Sequence, residues 1–319
     1  MPSILKTVPF ALILLTGILQ SQEAATTPAE TLFQAAIAQL QQGKYQDAEA
    51  SFRKLSEVEP NTSRGIVGLA DVWSAQKKAN DALRLLREES ARYPDRPELH
   101  FGIGNLALGT ADYDLAIAEF QLVLDRVDRN SKGAGELYLR MGEAYRLKGD
   151  LDFAITLFRQ AQALQPANLI ILNTLAFTLE SAGQSQPAGE QYRKMLELDP
   201  KNGTALNNLA FMLADTNTDP VLALAYAHRA RQLFPNELTI MDTLGWVYFK
   251  LNRADDAIPL FREIVQKNPR NATYRYHLAA ALELKGSHAE ARRESEEALK
   301  SNPSKNVEQK INDLLRTIR

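Results

Sequence analysis

The chain has 319 residues, of which 45% are hydrophobic and 24% are charged, and these fractions are typical of globular proteins rather than of a disordered chain. Its 37 basic and 39 acidic side chains give a formal net charge of −2, which argues against a general nucleic-acid-binding protein, because that class usually carries a basic excess. The chain contains no cysteine, so it has no disulfide, no thiolate metal site and no cysteine nucleophile.

The N-terminal segment has the pattern of a secretory signal peptide. Lys6 precedes an apolar run over residues 8–19, and small residues follow at Ala24 and Ala25. As a helix this run would cover about 18 Å, which is short of the roughly 30 Å hydrocarbon core of a bilayer. We therefore expect residues 1–24 to be a signal peptide and the mature chain to be exported to the periplasm or another extracytoplasmic compartment. Two alternatives remain: an uncleaved anchor, which would then be the membrane contact, and a cytosolic protein with an apolar start.

Seven prolines recur at a nearly constant interval through the rest of the chain. They are Pro60, Pro94, Pro166, Pro200, Pro235, Pro269 and Pro303. The intervals are 34, 72, 34, 35, 34 and 34 residues, and a period of this length predicts an array of stacked repeats. The repeats divide the chain into eight units, with an insertion at 131–134. The units are 29–62, 63–96, 97–130, 135–168, 169–202, 203–237, 238–271 and 272–305.

Small residues recur at positions of the unit that the prolines did not define. Position 8 is glycine or alanine in every unit: Ala36, Ala70, Gly104, Gly142, Ala176, Ala210, Gly245 and Ala279. Position 20 is always alanine: Ala48, Ala82, Ala116, Ala154, Ala188, Ala223, Ala257 and Ala291. Two helices cross closely where such small side chains meet, so each unit is predicted to be a helix–turn–helix. Position 15 is glycine in four units, at Gly43, Gly149, Gly183 and Gly286. A glycine there predicts a left-handed cap at the end of the first helix.

This pattern resembles the tetratricopeptide repeat family over residues 29–305. The resemblance is best in the fourth unit, at Tyr138, Met141, Gly142, Tyr145, Ala154, Phe158 and Pro166. It implies an all-α fold, a right-handed α-solenoid of about eight helix–turn–helix repeats whose first helices line a concave surface. Residues 306–319 place their apolar side chains on one helix face, which predicts a C-terminal capping helix. Asn306 is the expected N-cap of that helix, with Gln309 three residues later.

The chain shows no set of polar residues typical of a catalytic or metal site. Its four histidines are His100, His228, His277 and His288. They occupy four unrelated positions of the repeat, no two are four residues apart, and the H-E-x-x-H motif is absent. We interpret His277 as an ordinary residue of a helix face. The sequence therefore predicts a protein that is not an enzyme and that holds no cofactor and no metal.

Positions 5, 9 and 12 of the first helix share one helix face, because residues at i, i+4 and i+7 stack along a helix. The family resemblance implies that this face, which we call the groove face, lines the concave surface. In the last four units its candidate partner-binding residues are Asn173, Phe177, Glu180, Asn207, Phe211, Asp242, Trp246, Phe249 and Tyr276. Asparagine offers a donor and an acceptor to a peptide backbone, and an aromatic ring beside it offers flat apolar area. The alternative is that these aromatic side chains lean into neighbouring helices and are buried.

The groove face of the first four units has a different composition. It consists of Phe33, Ile37, Leu40, Val67, Asp71, Ser74, Phe101, Asn105, Leu108, Leu139, Glu143 and Arg146. Its first three residues are unusually apolar. They suggest a docking surface in the first repeat for the chain's own N-terminal tail or for a second copy of the protein.

These patterns predict a non-catalytic protein–protein interaction scaffold that binds an extended partner segment on the groove face. Residues 206–211 and 241–248 are similar to repeat blocks in bacterial cell-envelope proteins, including ones that accompany exopolysaccharide export. That similarity implies envelope assembly or export as the setting. Two alternatives remain open: a glycan-binding accessory subunit of a polysaccharide synthesis or export system, and a structural oligomerisation module. Nucleic acid is not an expected partner.

Overall fold

The computed structural model describes residues 27–318. These residues form seventeen α-helices and no β-strand, so the predicted all-α repeat solenoid is confirmed. The helices are α1 (Pro28–Gln41), α2 (Tyr45–Val58), α3 (Arg64–Ala75), α4 (Ala79–Arg92), α5 (Pro97–Gly109), α6 (Tyr113–Leu124), α7 (Lys132–Lys148), α8 (Leu151–Leu164), α9 (Leu169–Ser181), α10 (Ser185–Leu198), α11 (Gly203–Asp215), α12 (Pro220–Leu233), α13 (Leu238–Lys250), α14 (Ala254–Lys267), α15 (Ala272–Leu284), α16 (His288–Leu299) and α17 (Lys305–Thr317). The odd-numbered helices α1–α15 are first helices of the repeats, and the even-numbered ones are second helices.

The predicted signal peptide at residues 1–24 lies outside the described residues. Within residues 27–318, no helix has both the length and the apolar composition that a membrane crossing requires.

The helices are grouped into two larger compact units, which are distinct from the eight repeats. The first ends at Ala182 and the second begins at Gly183. The N-terminal unit contains α1–α9, and the C-terminal unit contains α10–α17. Within each unit every helix packs against the next one in the chain. First helices of neighbouring repeats also touch: α1 with α3, α3 with α5, α11 with α13, and α13 with α15. Side chains on the groove faces of these neighbours are therefore adjacent.

Close helix crossing explains the small residues at positions 8 and 20. All eight position-20 alanines are fully buried, with 0% of their surface exposed. At three position-8 glycines, an added β carbon would lie only 2.6 Å from the phenylalanine ring at position 24 of the same repeat. The pairs are Gly104 with Phe120, Gly142 with Phe158, and Gly245 with Phe261. In these repeats, glycine lets the first helix approach a large ring on the second.

The turn after each first helix uses a residue in the left-handed region. The four glycines at position 15 have φ values between 74° and 95°, as predicted. The other four repeats place a residue with a β carbon at the same position, with φ between 53° and 64°. These residues are Lys77, Ala111, Asn217 and Asn252. The geometry of the repeat imposes the left-handed conformation even where the side chain disfavours it.

A final helix covers the last repeat of the C-terminal unit. Helix α17 packs against α15 and α16, and its Ile311 is fully buried. Ser304 is the N-cap, because its Oγ accepts a hydrogen bond from the backbone N–H of Val307 at 3.5 Å. The predicted N-cap at Asn306 is wrong, since the helix already begins at Lys305.

The apolar residues of the first groove face belong to the core. Phe33, Ile37 and Leu40 are 1%, 7% and 5% exposed. They form part of the buried cluster that also contains Phe52 and Leu55. These three side chains therefore offer almost no apolar surface to a terminal tail or to a second copy of the protein.

Candidate functional site

The groove face of the N-terminal unit carries polar atoms that lack a partner. Asp71 of α3 and Asn105 of α5 both occupy position 9, and the two helices pack directly against each other. The Oδ2 atom of Asp71 and the Nδ2 atom of Asn105 are buried without a hydrogen-bond partner. Burial raises the pKa of the Asp71 carboxyl to about 7. A buried polar atom without a partner costs about 1–3 kcal/mol, so both atoms are candidates for contact with a ligand.

An ion pair and an exposed ring occupy the groove face further along the same unit. The Arg146 guanidinium donates from Nε to Oε2 of Glu143 at 2.9 Å and from Nη2 to Oε1 at 2.5 Å. These hydrogen bonds raise the pKa of Arg146. Its Cζ lies 5.7 Å from the centroid of the Phe177 ring. This ion pair is thus complete within the chain and sits beside an aromatic surface.

Helix α9 presents the most exposed apolar groove residues of this unit. Phe177 is 40% exposed and Ile170, two turns earlier, is 59% exposed. Asn173 and Glu180 lie on the same face and are partly exposed. Ile170 is not among the residues predicted from the sequence, although its i, i+7 spacing from Phe177 places both side chains on one face. The predicted residues of this repeat are therefore accessible to a partner.

The groove face of the C-terminal unit is built around a buried tryptophan. Trp246 is 6% exposed, and its Nε1 donates a hydrogen bond to Oδ1 of Asp215 at 3.3 Å. The rings of Phe249, Tyr276 and Phe211 have centroids 4.8, 6.3 and 6.4 Å from that of Trp246. These three rings remain partly exposed. The alternative of inward packing therefore holds for Trp246, while the three neighbouring rings form the accessible surface.

Asp242 and His277 form a buried polar pair within this cluster. Oδ1 of Asp242 lies 2.7 Å from Nδ1 of His277, and the two residues are 9% and 6% exposed. The imidazole also lies 4.3 Å from the Trp246 ring, measured between centroids. His277 is a buried, hydrogen-bonded residue of its helix face, and within residues 27–318 it belongs to no group that could hold a metal ion. The carboxylate of Asp242, which was predicted to bind a partner, is instead hydrogen-bonded to His277. The two residues stand in successive repeats, so their pairing becomes visible only once α13 is known to pack against α15.

Asn207 of α11 provides an unpartnered acceptor in the C-terminal unit. Its Nδ2 donates to Oδ1 of Asn208 at 3.2 Å, and Nδ2 of Asn208 donates to the hydroxyl of Tyr192 at 3.1 Å. The Oδ1 atom of Asn207 is buried and has no partner. These two hydrogen bonds therefore fix the Asn207 amide in place and leave its Oδ1 atom without a donor.

Charged groups lie around the exposed rings of this unit. Burial raises the pKa of Tyr276, and the nearby charges of Asp215 and Asp313 add to the effect. Nζ of Lys250 donates to the backbone oxygen of Asp215 at 3.0 Å. Across residues 27–318, no three histidine, aspartate or glutamate side chains are grouped as ligands for a metal ion.

Comparison with known proteins decides the family. Three sequence models described as tetratricopeptide repeat match residues 39–100, 137–170 and 243–306, about half of the chain. The chain is a tetratricopeptide repeat protein. The matched segments include parts of both units, and the groove-face residues Asp71 and Trp246 lie within them.

The relatives of this tetratricopeptide repeat protein include bacterial proteins named for a cellulose synthase operon and for type IV pilus assembly. Cellulose synthase 1 operon protein C of Komagataeibacter xylinus is 27% identical over 264 residues, which are 82% of this chain and 18% of that protein. Type IV pilus assembly protein PilF of Pseudomonas aeruginosa is 21% identical over 168 residues, 52% of this chain and 67% of PilF. The chain spans less than half the length of most curated relatives it matches.

A solved structure supports the fold alone. A chain of the APC/C hetero-tetramer Cut9–Hcn1 has a TM-score of 0.58 and 17% identity, and the match covers 91% of this chain and 55% of that one.

Proposed function

We propose that this chain is a non-catalytic interaction scaffold whose groove faces bind an extended segment of a partner protein. The observation that supports this most is that three of the buried side-chain atoms without a hydrogen-bond partner belong to groove-face residues. Oδ2 of Asp71, Nδ2 of Asn105 and Oδ1 of Asn207 are buried without a partner, and each residue occupies position 5 or 9 of a first helix. An extended peptide backbone presents alternating N–H and C=O groups, which are the donors and acceptors that these atoms lack.

Partly exposed aromatic rings accompany the polar atoms in each unit. Phe177 lies on the groove face of the N-terminal unit, and Phe211, Phe249 and Tyr276 lie on that of the C-terminal unit. Aromatic side chains supply large contact area with few rotatable bonds, which is why they are common anchors in binding surfaces. The polar atoms would then hold the backbone of the partner, and the rings would contact its side chains.

The setting that we propose is envelope assembly or export, with residues 1–24 acting as a signal peptide. The signal-like pattern of these residues supports export, and the names of PilF and of the cellulose synthase operon protein support an envelope partner. The mass of the protein recovered from the periplasm tests the first part. Loss of the N-terminal segment is expected, and an intact N-terminus would contradict cleavage.

A crosslinking experiment tests the binding face. A photo-reactive amino acid is placed at Phe177, at Phe211, or at Phe153, which is a 58% exposed phenylalanine on the second helix α8 and serves as the matched control. We expect the first two positions to capture the same protein in living cells and the control to capture none of it. Equal capture at all three positions, or capture at Phe153 alone, would place the binding surface elsewhere.

A polysaccharide is the second candidate ligand. The partly exposed rings of Phe211, Phe249 and Tyr276 lie near the Asp215 carboxylate, and sugar rings can stack on aromatic faces while their hydroxyls bond to carboxylates. The cellulose synthase operon relative also matches 82% of this chain. Replacing Trp73 by Phe leaves Trp246 as the single tryptophan of the chain. A change in its emission with a β-1,4-linked glucose oligomer, but not with peptides, would favour the glycan over the peptide.

A further inference from the structure

Positions 5, 9 and 12 of the first three repeats carry a single charged residue. The nine residues of this surface are Phe33, Ile37, Leu40, Val67, Asp71, Ser74, Phe101, Asn105 and Leu108. Asp71 is the one charged residue among them, and most of its neighbours in this set are apolar. Five of the six apolar members are buried in the core, so Asp71 is a single carboxyl group among positions that are otherwise largely buried.

Among residues 27–318, no cation is paired with this carboxyl group. The neighbouring first helices α1 and α5 contain no lysine or arginine, and no basic residue of the second helices α2 and α4, which also pack against α3, contributes to the pKa of Asp71. Arg64, the one basic residue of α3, is engaged by Glu30 at 2.6 Å and by Glu59 at 3.5 Å. Burial alone accounts for the raised pKa of Asp71, with no contribution from a hydrogen bond or a neighbouring charge. The residue nevertheless keeps part of its surface exposed, although its Oδ2 atom is buried.

We propose that Asp71 binds a lysine or arginine side chain of the partner segment. The inference rests on the proposed function and adds the chemistry of the partner to it. An unpaired carboxylate in an apolar surround gains most from a ligand that brings a positive charge and N–H donors. Asn105 Nδ2, which lacks an acceptor, is placed to donate to a backbone carbonyl of the same segment.

A cation from the partner would offset the free-energy cost of burying an unpaired carboxyl group at Asp71. Natural proteins seldom bury a carboxyl group without a partner, because desolvation penalises its charged form. An asparagine or serine at position 71 would avoid this penalty and still bond to a peptide backbone. A carboxyl group has an advantage there only when a cation enters the site.

The test uses a positional-scanning array of twelve-residue peptides, in which each of the common amino acids is fixed in turn at each position. The full chain, Asp71→Asn and Asp47→Asn are compared. Asp47 is an exposed carboxylate on the second helix α2, so its substitution is the same chemical change away from the groove face. The unmutated chain is expected to prefer lysine or arginine at one peptide position by about tenfold or more. Asp71→Asn should lose this preference and keep those at other positions, and Asp47→Asn should behave as the unmutated chain.

The outcomes separate this inference from the function on which it rests. Peptide binding with no basic preference, or a preference that persists in Asp71→Asn, overturns the role of Asp71 and leaves the scaffold intact. Failure of every peptide to bind the unmutated chain overturns peptide binding itself, and with it the cation site. A melting temperature of Asp71→Asn at or above that of the unmutated chain confirms that any loss of preference is not a loss of fold.

Discussion

Gly142 of α7 faces the ring of Phe158 on α8 so closely that a β carbon on the glycine would lie 2.6 Å from Cε1 of the ring. Phe158 is fully buried, and it therefore has little freedom to move away. The same relationship holds in two other repeats, at Gly104 with Phe120 and at Gly245 with Phe261. A glycine at position 8 thus compensates for a phenylalanine at position 24.

Gly142→Ala should destabilise the protein by about 1–3 kcal/mol, although alanine is the better helix former. The overpacking against Phe158 outweighs the helix propensity gain of about 1 kcal/mol. Gly102→Ala is the matched control, because its β carbon would lie 3.4 Å from the flexible ends of Leu86. Urea unfolding measures both variants. Equal stability of the two would show that the ring at position 158 can move aside.

Ala111→Gly should stabilise the protein by about 0.5–1 kcal/mol. Ala111 has φ of 63°, a conformation that costs an L-residue energy and that glycine adopts freely. The reverse substitution, Gly149→Ala, should destabilise by about 1 kcal/mol through backbone strain alone, since no atom lies within 4 Å of the added β carbon. Thermal unfolding checks the pair. A stabilising Gly149→Ala would contradict the strain.

The sequence predicts the repeat, its helix pairs and four of the left-handed caps, because these depend on residues within one repeat. It does not predict that Ala111 adopts the same conformation, since the packing of the two helices overrides the residue's own preference. It also misses the pair between Asp242 and His277, which depends on contact between successive repeats. The position of Trp246 in the repeat predicts that it lies on the groove face, but it does not predict that the neighbouring rings bury it.

Asp71→Asn should remove a pH dependence of stability between about pH 4 and pH 7. The folded-state pKa of Asp71 is about 7, above the unfolded value of about 3.9. In this window the unfolded chain has released the proton and the folded chain keeps it, so the stability of the unmutated protein falls as pH rises and levels off above pH 7. The difference from Asp71→Asn should change by about 2–4 kcal/mol across the window. Parallel stability curves for the two proteins would contradict the raised pKa.

His277→Ala should destabilise the protein by about 2–4 kcal/mol and shift the emission of Trp246 to longer wavelength. The substitution removes a ring stacked 4.3 Å from the indole and leaves the Asp242 carboxylate buried without its partner. Emission is measured with Trp73 replaced by Phe. His288→Ala is the control, because His288 is exposed and lies on the following helix α16. An unchanged spectrum for His277→Ala would show that the indole environment does not depend on the imidazole.

Phe177→Ala and Phe153→Ala separate binding from packing. Phe177 is 40% exposed and its ring lies beside Arg146. Phe153 is 58% exposed and its ring stacks on Tyr145. Each substitution should therefore cost about 1 kcal/mol or less in unfolding free energy. Capture of the partner should fall only for Phe177→Ala, because only that ring belongs to a groove face. An equal loss for both variants would indicate a binding surface that extends to the second helices, and retention by both would remove Phe177 from the binding surface.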